Sequence, residues 1–96
     1  MGTVSEVRDF RGGILRQGVI EMSELLAAAR QARLPFLGCV DEYDNTVFNQ
    51  LQAAVVREEL ARIESFPGLE SAVAEVRSMI DEVQQRPHRY LVFNGD

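Results

Sequence analysis

Ninety-six residues, 46% hydrophobic and 26% charged, suit a single small globular core and exclude a chain disordered throughout. Fifteen acidic against ten basic residues leave a formal net charge of -5, which disfavours a phosphate backbone as partner. A lone cysteine rules out an internal disulfide and an all-cysteine metal site.

Residues 1-20 of the chain offer mixed signals. Val4, Val7 and Phe10 recur at every third position, which favours a helical turn. Gly12-Gly13 and Gly18 then interrupt, so Ile14-Leu15 and Val19-Ile20 read as short strand pieces joined by turns. Residues 22-34 predict a helix, with Met22, Leu25, Leu26 and Ala29 on one stripe, Ser23 as N-cap and Pro35 as the stop. Its longest aliphatic run, Leu25 to Ala29, is far too short to cross a bilayer. Residues 36-40, Phe-Leu-Gly-Cys-Val, read as a buried strand, which makes Cys39 an inert buried thiol.

Two long helices are expected next, over 46-66 and 69-86. Phe48, Leu51, Val55, Leu60 and Ile63 carry the first stripe; Leu69, Val73, Val76, Ile80 and Val83 carry the second. Pro67-Gly68 between them predicts an antiparallel hairpin. Glu58 with Arg62, and Glu82 with Arg86, stand at the spacing of helical ion pairs. Val56 beside Val55 widens the first stripe, for core packing or for a dimer seam. A final strand, 89-94, follows Pro87.

The expected whole is one domain over 1-96. It is an α+β fold, mostly helical, with a helix hairpin packed on a small antiparallel sheet and one additional N-terminal helix. With the strand at 36-40, the turn at 41-46 and the segment 86-90 fall at the same end of the sheet. Asp41, Glu42, Tyr43 and Asp44 then meet His88 and Arg89. One reading is structural: Asp44, Asn45 or Thr46 caps the long helix while the arginines neutralise an acidic turn. Another is a metal held by Asp41, Glu42, Asp44 and His88, although the spacing is not that of a calcium loop. A third makes His88 a base assisted by Tyr43 or Cys39, without a nucleophile elbow, HExxH or phosphate loop to support it. The fourth is a partner-binding surface of Asp41, Glu42, Tyr43, Asp44, His88 and Arg89, with Tyr43 as anchor.

Charge is uneven. Residues 1-20 carry +1, residues 21-40 balance, and residues 41-96 hold eleven acids against five arginines. All ten basic residues are arginine, the side chain suited to bidentate pairing. An acidic half suits solubility or a protein partner with a basic surface.

The run Asp41-Glu42-Tyr43-Asp44-Asn45-Thr46-Val47-Phe48-Asn49-Gln50-Leu51-Gln52, with the ending His88-Arg89-Tyr90-Leu91-Val92-Phe93, resembles a pattern of small bacterial proteins without an assigned activity. In size, acidity and mixed make-up the chain is also similar to immunity proteins of bacterial toxin systems. The leading expectation is a small cytoplasmic protein-binding domain, an immunity-like or regulatory inhibitor of a basic protein partner, acting by occlusion and charge complementarity. The charge, hydropathy and lack of site motifs point to no cofactor, no metal, no catalytic residue, no nucleic acid and no membrane. The runner-up is a ligand-binding or enzymatic domain using Asp41, Asp44 and His88; the third reading is a structural homodimer.

Overall fold

The computed structural model describes residues 2–95; Met1 and Asp96 lie outside the described residues. Its first two elements are strands, β1 (Val4–Asp9) and β2 (Ile14–Gln17), paired antiparallel as a hairpin. The helical turn expected from Val4, Val7 and Phe10 is absent, because the whole of β1 finds a second strand partner far along the chain and the sheet ladder outweighs a three-residue periodicity. Gly12, at φ 83°, makes the reversal that a side chain would resist. Asp9 holds the turn by accepting from the amides of Arg11 (2.9 Å) and Gly13 (2.8 Å). The register slips at Val7/Arg8, which leaves Leu15 as the extra residue of a β-bulge.

Helix α1 (Ser23–Gln31) buries Leu25, Leu26, Ala28 and Ala29, close to the expected stripe. Ser23 is not its N-cap. Met22 occupies that position, and the Ser23 hydroxyl donates instead to Glu21. The same carboxylate accepts from the amides of Thr3 (3.0 Å) and Ser23 (2.9 Å). The Ser23 hydroxyl is the main reason its pKa falls below the ordinary 4.5. A lowered folded-state pKa adds stability above the unfolded value, and that stability is lost as pH falls through the folded value. Glu21→Gln is therefore expected to be less stable than the parent at neutral pH. The gap should close as the pH of denaturant titrations falls below about 4, and a gap independent of pH would refute the assignment.

Residues 36-40 do not form a strand. Leu37–Cys39 is a single 3-10 turn, and its amides bond locally: Gly38 to Leu34, Cys39 to Phe36, Val40 to Leu37. Leu34, Leu37 and Val40 are the buried positions, a spacing of three. A short apolar run does not by itself separate a strand from a buried turn. Glu59 decides between them, since its carboxylate accepts from the amides of Phe36 (3.0 Å) and Leu37 (2.8 Å), which spends those donors on the turn. Cys39, expected to be buried, is exposed.

The missing strand lies further on. Asn45–Phe48 forms β3, where a helix was expected to begin. Helix α2 (Gln50–Ile63) starts after it, capped by Asn49, not by Asp44, Asn45 or Thr46. Asn49 and Gln52 make a reciprocal capping box. Helix α3 (Glu70–Gln85) returns antiparallel after Pro67-Gly68, with Gly68 at φ 82°. Arg57 pairs with Asp81 (2.5 Å) and Arg77 with Glu64 across the hairpin. Glu82 pairs with Arg16 of β2 rather than with Arg86, and Glu58 with Arg62 is not among the ion pairs of the described residues. Long arginines reach a neighbouring element, and there each ion pair also ties two elements together.

Strand β4 (Arg89–Asn94) closes a four-stranded antiparallel sheet of order β2-β1-β4-β3. The chain is 45% helical and 21% strand, so it is an α+β fold whose sheet is twice the pair of strands read from the sequence. Val7, Phe48, Leu91 and Phe93 face the helices and join one core with Met22, Leu60, Met79 and Ile80. Val56 lies wholly in that core while Val55 is partly exposed, so the widened stripe of α2 serves packing. No helix among the described residues is long and apolar enough to cross a membrane.

Candidate functional site

The register of β3 against β4 decides the fate of the six expected site residues. Asn45 pairs with Asn94 and Phe48 with Leu91. The acidic turn therefore lies beyond the C-terminal end of β4, where the amide of Gly95 donates to the carbonyl of Asp44 (3.1 Å). His88 and Arg89 lie at the other end of the same strand, about 20 Å away at ~3.4 Å per residue. Asp41, Glu42, Tyr43 and Asp44 stay together, as do His88 and Arg89, but the two groups do not meet. The cause is the displaced strand: with β3 at 45-48 instead of 36-40, the turn at 41-44 precedes the strand and occupies its opposite end. The neighbours of His88 are the residues that follow β3, namely Asn49, Gln50 and Leu51.

At the acidic end, each side chain has a local task. Asp41 accepts from the amide of Tyr43 (2.8 Å), Asp44 from that of Asn45 (2.7 Å), and Thr46 from that of Asp41 (2.9 Å). Glu42 pairs with Arg30 of α1 at 3.1 Å. A Cβ on Gly95 would stand 2.4 Å from the carbonyl oxygen of Asp44, so the end of the sheet threads closely against this turn. Tyr43 projects from it, 82% exposed. No group of three or more metal-ligating side chains occurs among the described residues.

The opposite face of the sheet was not legible in the sequence as a surface. Pairing places Val4, Asn94 and Asn45 in one outward row, Gln17, Glu6, Val92 and Val47 in the next, and Ile14, Arg8 and Tyr90 in the third. The helices pack on the other side, and Val92, although 1% exposed, belongs to no part of the core cluster. Glu6 sits at the centre of this outward face with no exposure. One carboxylate oxygen takes Arg8 Nε (2.7 Å) and Nη2 (2.6 Å); the other takes Asn94 (3.0 Å) and Gln17 (3.3 Å). Its acceptor capacity is largely filled, which leaves little for a proton-transfer or ligand role.

The polar middle is thus internally neutralised, and the apolar residues beside it are open to solvent. Val47 is 55% and Phe10 63% exposed, and both line a shallow hollow with Arg8, Tyr90 and Val92. Tyr90 also lines a second hollow, with Asn49, Leu51, Pro87 and His88, so the apolar surface turns the corner onto the end of the molecule. His88 adopts φ 62°, a left-handed conformation uncommon outside glycine. Its ring meets that of Phe10 edge-on at 6.0 Å, and the Arg11 guanidinium lies over the Phe10 ring, 5.2 Å from its centroid. Gln50 and Arg89 reach the last carbonyls of α3, at Val83 (2.7 Å) and Glu82 (2.9 Å), and serve as its C-terminal caps.

Several acids that make the sequence acidic are engaged by groups within the chain. Glu59 holds the 3-10 turn. Glu75 accepts from the amides of Val19 (3.1 Å) and Ile20 (3.2 Å), and Glu64, Asp81 and Glu82 are ion-paired. Glu58 and Glu70 remain exposed on the helices, and the turn at 41-44 is where acids gather within a few residues. No protein-family model, curated protein or solved structure matches the chain.

Proposed function

We propose that this chain is a small protein-binding domain that acts by covering a partner's surface, without chemistry. The observation that carries the reading is the outward face of the sheet. All three helices lie on the other side, and this face offers Val47, Phe10, Tyr90 and Ile14 around a carboxylate already satisfied by its neighbours. An exposed Phe10 with Arg11 over its ring, beside the half-buried Tyr90 and the exposed Val47 and Ile14, suits a macromolecular interface. A toxin-neutralising protein of the immunity kind, which the chain resembles in size and acidity, would work in this way.

Val47→Asp and Phe10→Asp test it. Both positions are largely exposed, so the variants should fold, as judged by thermal melts. Each is expected to weaken binding of a purified partner by at least tenfold, equivalent to about 1.4 kcal/mol. Unchanged affinity in both variants overturns the reading. A second reading rests on Tyr43, which stands exposed among Asp41 and Asp44 and suits a partner with a basic surface. It requires that Asp41→Asn with Asp44→Asn weaken binding, and more so at low salt.

A further inference from the structure

The two ends of the sheet are chemical opposites. At one end Asp41, Glu42 and Asp44 against Arg30 leave a charge of -2, with Tyr43 projecting as the most exposed aromatic residue. At the other, Arg89 lines an apolar hollow with Leu51, Pro87, His88 and Tyr90, Arg86 precedes its Pro87 in the chain, and Arg11 lies over Phe10, whose ring meets His88; these three arginines against Asp9 leave +2. Leu51 is 83% exposed there, at the first turn of α2. A hollow walled by Tyr90 and His88, with arginines at and beside it, calls for an acidic segment that carries an aromatic side chain. The chain presents such a segment on its own far end.

We propose that the occupant of the Tyr90 end is the acidic turn of a second copy, so that molecules join head to tail. The proposal rests on the reading of this surface as a docking site and names what docks. Tyr43 of one molecule enters the hollow beside Tyr90 and Leu51 of the next, while Asp41 and Asp44 face Arg86 and Arg11. A contact between two different patches leaves one of each free, so it propagates as an open chain or closes as a ring, unlike a two-fold dimer. Charge attraction between exposed groups is screened by salt, so the association is strongest at low ionic strength.

Sedimentation velocity of the unaltered chain is the first measurement. The expected result is mass that grows with concentration at low salt and returns toward the monomer when salt rises. Mass independent of concentration at low salt overturns the proposal, while partner binding that is still lost in Val47→Asp would leave the binding-domain reading intact. Two variants then separate the ends. Asp41→Asn with Tyr43→Ala and Asp44→Asn removes the acidic end and keeps the oxygens that hold its turn; Arg11→Glu with Arg86→Glu inverts the other. Each alone is expected to stay monomeric, and an equimolar mixture to give a dimer that grows no further, because only one productive contact survives. A mixture that remains monomeric while the parent associates points to a symmetric interface and overturns the head-to-tail arrangement.

Discussion

Glu59→Ala is expected to lower the free energy of unfolding by about 3 kcal/mol, the result of stranding two backbone donors. Glu59 is 4% exposed and accepts from the amides of Phe36 and Leu37. Hydrogen bonds to a charged group contribute roughly 1.5–3 kcal/mol each, and a buried donor left without a partner bears its full desolvation cost. Alanine favours the helix slightly, but by well under 1 kcal/mol, so the loss prevails. Glu59→Gln should fall between the two, because its amide retains one accepting oxygen and opposes the other donor. Urea titrations measure all three proteins. A loss below 1 kcal/mol for alanine would mean that the 3-10 turn finds other acceptors. The effect should extend to the acidic turn, since Phe36–Val40 is the segment that delivers Asp41 to its place.

Glu6→Val should be at least as damaging, by about 3 kcal/mol or more. The carboxylate has no exposure, and its loss leaves Arg8, Asn94 and Gln17 without their common acceptor. Arg8 retains some access to water, with its side chain 20% exposed, which keeps the cost below that of a fully stranded buried charge. Adding Arg8→Val is expected to restore at least half of the loss. A neighbouring pair of β-branched residues suits two outward positions of a strand, and replacing both members of an ion pair is far milder than removing one. A double variant no better than the single would show that the pair itself, not the stranded arginine, carries the stability. The double variant also enlarges the apolar outward face, so its tendency to associate should rise while its stability recovers.

The helices were largely legible. Leu25, Leu26 and Ala29 in α1, and Val73, Val76, Ile80 and Val83 in α3, repeat at the helical spacing and are buried as that spacing requires. The last strand and the turn at Pro67-Gly68 were legible for similar reasons, since each is marked by local composition. The segment from 36 to 50 was not. Its apolar run at 36-40 and its mixed run at 45-48 differ too little for periodicity to separate turn, strand and helix, and the deciding bonds come from Glu59 and from β4. That one displacement carried the site with it. Asp41, Tyr43 and His88 are each exposed, but their meeting depended on which stretch was the strand.

Local chemistry by itself determined the helical hairpin and the α+β character, because each depends on residues near one another in sequence, and the single cysteine excluded an internal disulfide. Tertiary structure alone decided that β1 lies between β2 and β4, that Glu6 is a saturated carboxylate on an outward sheet face, and that the acidic and arginine-rich segments occupy opposite ends. Those outcomes rest on pairing between residues as far apart as Val4 and Asn94. Such pairing is selected by the collective burial and hydrogen bonding of the whole sheet, which no short window of sequence contains.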